Sequence, residues 1–228
     1  MYNFRYLKRC FKKLITAYTK KEYVEVEKNT LKQVIEGKID NKGRYAIDRC
    51  FEEMYKDKPY GLYKFGYTED LEAINEKDLY EYYKALISEC KIDVFISGFD
   101  ISDLNENQIL GIFTPRIANY TTIENLYIEN EINEPKEVIE KMDVTQGKLM
   151  MGADILKLDK AERPAASMYS VILGGGANSK LFQNVREKAS LCYTAGASYI
   201  KAKNSVLIRC GIEIKNYKKA LDLIKEQL

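Results

Sequence analysis

LGGGANSKLFQNVREKASLCYTAGASY, residues 173–199, is the stretch whose reading decides the fold. Its three glycines, Gly174, Gly175 and Gly176, close an apolar helical phrase. Glycine tolerates positive φ at a helix end and also lets two backbones approach closely, and either job suits them. A second helical phrase carries Asn178, Ser179, Leu181, Phe182 and Val185, then the charged cluster Arg186-Glu187-Lys188. The segment ends on Tyr193, Ala195, Ala197 and Tyr199, whose alternation reads as a strand. A nucleotide-phosphate loop is disfavoured, because the Gly-Lys-Ser/Thr ending is missing and a helical phrase, not a strand, precedes the glycines.

Downstream, Val206, Ile208, Cys210, Ile212 and Ile214 alternate cleanly, which predicts an antiparallel hairpin over 191–201 and 205–214 with its turn near Lys203-Asn204. A final helix begins near Asn216 and repeats Tyr217, Ala220, Leu221, Ile224 and Leu228. Upstream, Pro164 suits the first turn of a helix through Leu173, with Ala165, Met168, Tyr169 and Ile172 on its inner face. Strand signals lie over 136–155, around a turn near Gln146-Gly147. The spacing predicts helices over 21–39 and 43–57, separated by turn residues 40–43, before Pro59, Gly61 and Gly66 break the pattern. A helix over 75–89 has Asn75 as N-cap and a stripe of Leu79, Tyr82, Tyr83, Leu86 and Ile87 that reads as core. A buried strand over 91–98 follows it. Residues 101–135 read as a linker, with a short helix near 102–112 and a lone strand at 126–128 as its only signals.

The chain has 228 residues, 46% of them apolar and 31% charged, with a net charge of +2. That is a soluble globular balance without a global field toward nucleic acid. Residues 4–19 read as a basic amphipathic helix, better suited to a solvated face than to nucleic acid or a membrane, since stacking aromatics and Gly-rich basic context are missing. Cys10, Cys50, Cys90, Cys192 and Cys210 are widely spaced, which fits free thiols and a cytoplasmic protein. There is no histidine. A His-based zinc site, a Ser-His-Asp triad and a Cys-His dyad are therefore excluded for this chain alone.

The central stretch resembles the C-terminal lobe of the M16 zinc metallopeptidases (insulinase, pitrilysin, processing peptidase), through Gly174, Gly175, Gly176, Ser179, Leu181, Phe182, Arg186, Glu187, Lys188, Leu191 and Tyr193. Pro59-Tyr60-Gly61, Gly66, the aromatic-rich helix over 75–89 and the strand ending at Gly98 are similar to another part of that family's lobe. The resemblance implies an α+β fold of antiparallel sheets with helices packed on one face, as two partial lobes of a processing-peptidase-like fold. Residues 1–100 would end a first lobe, 101–135 link the two, and 136–228 begin a second lobe, so that the chain is a fragment.

The family's inverted zinc motif, H-x-x-E-H, is absent here. Its later glutamate ligand aligns with Val34, which cannot hold a metal; a shifted alignment offers Glu36, and Glu27 and Glu36 otherwise read as a solvated helix face. The resemblance therefore implies a part without zinc, inactive alone, whose arginine–tyrosine pair, Arg186 and Tyr193, serves a zinc-bearing M16 partner subunit or a homo-oligomer. An Arg fork and a Tyr hydroxyl can donate to the carbonyls of an extended peptide and to a developing oxyanion. Gly175, Gly176, Asn178 and Ser179 complete the implied substrate-binding set, with no metal or cofactor in this chain, no nucleic acid and no membrane as partner. Without the resemblance, Arg186 is an ordinary helix-end cation and Tyr193 a rim tyrosine. Two alternatives stay open: an inactive pseudo-peptidase that binds peptides or scaffolds an assembly, and a fragment of a zinc peptidase whose histidines lie outside this chain.

Overall fold

The computed structural model describes residues 20–91, 95, 107, 135–155, 158–159 and 161–228. The expected helix over 4–19, most of the strand over 91–98, the helix near 102–112 and the strand at 126–128 lie outside them. The chain divides into two units, one within Met1–Glu36 and Phe65–Leu126, the other within Gly37–Lys64 and Tyr127–Leu228.

The first unit holds helices α1 (Lys21–Glu36), α3 (Thr68–Ala73) and α4 (Glu76–Glu89). Asn75 caps α4, its side-chain oxygen accepting from the Lys77 and Asp78 amides at 3.1 and 3.0 Å, which satisfies two of the donors a helix start leaves over. Val24 and Leu71 are buried, and Lys28 donates to the Ile74 carbonyl at 2.9 Å. Of the α4 stripe expected as core, Leu79 and Leu86 are exposed, Tyr82 is 68% exposed and Tyr83 is half-buried. Periodicity reports which residues share a face, not whether another element covers that face.

The second unit is built on a three-stranded antiparallel sheet in the order β1-β3-β2, with β1 over Gly147–Asp154, β2 over Cys192–Ile200 and β3 over Ser205–Ile212. Helices α5 (Arg163–Gly174) and α6 (Tyr217–Lys225) and a π-helix (Phe182–Lys188) form the main helical layer. Leu173, Leu181, Val185, Ala197, Ile208, Cys210, Ala220 and Ile224 make the core between this layer and the sheet. The predicted hairpin is present and turns over 201–204. Asn204 there takes φ 49°, a left-handed conformation that Asn tolerates better than most residues. Its side chain accepts from the Tyr199 hydroxyl and donates to the Ile155 carbonyl, both at 2.6 Å.

Helix α5 turns a different face inward from the one its apolar residues suggest. Ala166, Ser170 and Leu173 are buried, whereas Met168 is 61% exposed and Ala165, Tyr169 and Ile172 also point to solvent. The reason is distance. A Cβ on Gly174 would lie 2.2 Å from the Ala197 amide nitrogen. The helix end therefore sits flush on β2, and its inner face is chosen for small side chains.

A second helical contact covers the other face of the sheet at β1. Helix α2 (Lys42–Met54) packs there, since a Cβ on Gly152 would meet the Met54 sulfur at 2.6 Å. Past the Pro59–Gly61 turn, Lys203 of the hairpin donates to the Tyr60 carbonyl at 2.6 Å. Its ammonium lies 4.3 Å from the Phe51 ring centroid and 5.1 and 5.5 Å from those of Tyr55 and Tyr60. Burial in this aromatic setting pushes the Lys203 pKa down, with Asp48 opposing.

The strand expected over 136–155 begins only at Gly147; residues 135–142 have no regular structure. Side chains hold that segment in place of a ladder. Glu140 accepts from Arg49 at 2.7 Å and from Tyr45 at 2.8 Å, Lys136 pairs with Glu53, and Tyr217 donates to Glu137. The Tyr217 phenol is pushed up to about 12 by that carboxylate. The Lys136 bond holds Glu53 below the ordinary carboxylate value, and at Glu140 the Arg49 and Tyr45 bonds outweigh the upward push of burial.

Two predictions follow from these contacts. Gly174→Ala should destabilise the protein by about 1–3 kcal/mol or more in urea unfolding, because the methyl meets backbone. Gly176→Ala, with open space around it, should stay within about 0.5 kcal/mol of the parent. The lowered Glu53 and Glu140 values stabilise the fold above the ordinary carboxylate range, and that stabilisation is lost as pH falls through their folded-state values. Melting temperature should thus drop between roughly pH 5 and pH 3, and Glu140→Gln should shallow the drop; an identical acid limb in the variant would show that the network is not the cause.

Candidate functional site

The site region is assembled by α5, the π-helix and the start of β2. After Gly174 the chain bends without positive φ: Gly175, which caps α5, has φ −81° and ψ −5°. The glycine run is needed here for close approach, at Gly174, while Gly176 faces open space. Ser179 is buried and its hydroxyl donates to the Gly176 carbonyl at 2.6 Å, which closes the turn. Asn178 is exposed beside it.

The π-helix is tied to the chain's last helix. Asn184 donates to the Gln227 side chain at 2.6 Å, and Lys180 donates to the Gln227 carbonyl at 2.5 Å. It ends through Ser190 at φ 53°, with the Ser190 amide donating to the Arg186 carbonyl at 3.1 Å and the Leu191 amide to the Val185 carbonyl at 3.0 Å. Left-handed closure of this kind is usually a glycine's task. Single π-turns occur often at functional sites, where they re-aim a side chain.

Arg186 lies near the end of that π-helix. Its guanidinium carbon is 4.4 Å from the Phe182 ring centroid, and its nearest carboxylate, Glu187, is 3.7 Å away. Tyr193 follows across a register irregularity: Cys192 pairs with Ile212 and Thr194 with Gly211, leaving Tyr193 as the extra residue of a β-bulge. The bulge turns the tyrosine outward, where it is 55% exposed, and its hydroxyl donates to Glu213 over a long 3.3 Å. Glu213 is held low by its bond to Lys215 at 3.0 Å, with Tyr193 contributing.

Cys192 connects the two. The Cys210 thiol bonds to it and holds its pKa down against burial, and the Arg186 charge acts in the same direction. Cys210, the other member of the pair, is pushed up. Sequence reading missed Glu213, Lys215 and Thr194, which come to the site through the β2–β3 register, and it missed the bulge itself, for which no turn residue signals.

A groove of about 290 Å³ opens beside the bulge. Thr194 lines it, with Gly196, Lys148, Met150, Arg209 and Gly211 of the sheet and Gly43 and Ile47 of α2; Arg186 and Tyr193 do not. Among the described residues no group of three or more His, Cys, Asp or Glu side chains is placed to hold a metal, and Val34 is exposed on α1. These residues do not fit a zinc site. No described helix is long and apolar enough to cross a membrane.

The family pattern described as "Peptidase M16 inactive domain" matches residues 73–228. A Bacillus subtilis protein named "Probable inactive metalloprotease YmfF" is 38% identical over 208 residues, covering 90% of this chain and 48% of that protein. A crystal structure of a conserved protein from Enterococcus faecalis superposes with a TM-score of 0.75 at 28% identity, over 91% of this chain and 49% of that one. A peptidase M16 inactive domain from Pseudomonas fluorescens shares the fold, with a TM-score of 0.62 at 20% identity over 90% of this chain and 50% of that one. The chain thus spans about half the length of these relatives.

Because its ring is exposed and its hydrogen bond is long, Tyr193 contributes little to folding. Tyr193→Phe should leave the urea midpoint within about 0.5 kcal/mol of the parent. A larger loss would make the hydroxyl part of the scaffold.

Proposed function

Since the chain belongs to the peptidase M16 inactive-domain family, we propose that it is the zinc-free portion of an M16-type peptidase assembly, holding an extended peptide for a zinc-bearing partner. In this reading residues 1–100 end a first lobe, 101–135 link the lobes and 136–228 begin a second. The partner, a separate H-x-x-E-H subunit, holds the zinc. Arg186 and Tyr193 supply peptide contacts, with Gly175, Gly176, Asn178 and Ser179 forming the turn beside them. The observation that carries the reading is the bulge that turns Tyr193 outward at the start of β2, seven residues after Arg186 in the chain. A tyrosine extruded from a strand, with a weak bond to exchange, is a donor available to a carbonyl oxygen. Arg186 is similarly lightly committed, and its planar fork can serve two acceptors that a lysine cannot reproduce.

The chemistry available to this chain is limited to binding and orientation. It offers no histidine base and no metal cluster among its described residues. A hydroxyl and a guanidinium aimed at a scissile carbonyl would fix its position and stabilise the negative charge that grows on its oxygen. The second reading, a pseudo-peptidase that binds peptides or scaffolds without assisting cleavage, is favoured by the name of the Bacillus relative. Both readings share the peptide-binding step and part company at turnover. A cytoplasmic location accords with the wide cysteine spacing.

The test is reconstitution of the full-length protein with its zinc-bearing partner. Tyr193→Phe should reduce turnover by about 10²–10³, the range for removal of one oxyanion donor, and Arg186→Lys should also reduce it. Unchanged turnover in both variants would leave Arg186 and Tyr193 with only a structural role. Metal analysis of the purified protein carrying this chain alone should find no stoichiometric zinc; one tightly held zinc per chain would overturn the assignment.

A further inference from the structure

The groove beside the bulge carries two cations, Lys148 and Arg209, that pair with no carboxylate among the described residues. Lys148 and Arg209 stand on neighbouring strands, where Lys148 pairs with Gly211 and Met150 with Arg209. They are diagonal neighbours on one face of the sheet. Each bonds to a neutral group: Lys148 to the Gln146 side-chain oxygen, Arg209 to the Ser198 hydroxyl at 3.2 Å. No carboxylate lines the groove among the described residues. Helix α2 brings its N-terminal turn to the same groove through Gly43, which adds partial positive charge.

The floor is kept low by glycine. The Arg209 guanidinium lies over Gly196, at 3.9 Å from where a Cβ would stand, and a Cβ on Gly211 would strike the Thr194 hydroxyl at 2.8 Å. That hydroxyl accepts from the Gly211 amide at 3.1 Å. Met150 and Ile47 give the groove apolar walls. The cations, the small floor and the apolar sides make a place for a short side chain that ends in an anion.

We propose that this groove is a specificity pocket for an acidic side chain, Asp or Glu, of the bound peptide, with Lys148 and Arg209 as its counter-ions. The inference rests on the peptide-binding reading above and sharpens it to acidic peptides. Thr194, which lines the groove, follows Tyr193 in the chain, so the groove begins one residue from the bulge. The entering carboxylate would accept one charge-assisted bond from each cation in place of their bonds to neutral Gln146 and Ser198.

The experiment uses fluorescein-labelled nonapeptides in a neutral Ala/Ser background, each with one Asp at a different position, beside the matching Asn set. Binding to the full-length protein is read by anisotropy. At one position Asp should bind about tenfold tighter than Asn, and the preference should shrink as salt is raised. In the Lys148→Gln/Arg209→Gln double variant that preference should vanish while the Asn peptides bind as before. Both positions are exposed, and an unchanged melting curve will establish that the variant is folded. Equal binding of Asp and Asn peptides at every position would overturn the pocket and leave peptide binding intact. A preference that survives the double substitution would also overturn it. Failure of all peptides to bind would instead remove the peptide-binding reading, and the pocket with it.

Discussion

The contact on which the second unit depends is the near collision of Gly174 with the backbone of Ala197. With 2.2 Å between a notional Cβ and the Ala197 nitrogen, no residue but glycine fits, and α5 is set against β2 at backbone range. Ala166, Ser170 and Leu173 then form the inner face, and Met168, Val171 and Ile172 are left outside. The chain must leave this contact at once, and the Gly176–Ser179 turn takes it into the π-helix that carries Arg186. The candidate site is placed by a steric limit two elements upstream of it.

Sequence was informative wherever a local rule governs. The Asn75 cap, the Lys203-Asn204 turn and the β3 strand are decided by neighbours within a few residues, and all appear in the structure, although β3 is buried on both faces and stops at Ile212, leaving Ile214 exposed. The inner face of α5 was misread because hydrophobicity was taken as the guide where distance from the sheet was decisive. The segment before Gly147 carries strand-like residues, yet Glu140 and Lys136 are satisfied by Arg49 and Glu53 of α2, and no ladder forms. Such exchanges are invisible until the register of distant elements is known.

The same holds for the site. Arg186 and Tyr193 could be singled out from their motif, but neither the π-turn nor the bulge that set their exposure is written in any single residue type. Ser190 and Asn204, both at positive φ, stand where glycine would have been the legible signal. Lys148 and Arg209 lie 61 residues apart in sequence and meet only because β1 and β3 pair in one particular register. A slip of β1 by one residue would turn Lys148 to the opposite face, toward the apolar core, and leave Arg209 on its own face.

Lys203 bears on how the second unit folds. Its ammonium bonds to the Tyr60 carbonyl across a sequence separation of 143 residues and lies against Phe51 and Tyr55 as well. A contact closed over so long a loop carries its entropic cost before any local reward, so it belongs to the late part of folding. The hairpin and the α5 layer are local and can form first, with the Phe51–Tyr60 segment docking onto a sheet already made. During synthesis, residues 51–60 emerge long before their lysine does, and their aromatic rings stay without this partner until the chain has reached the β2–β3 turn.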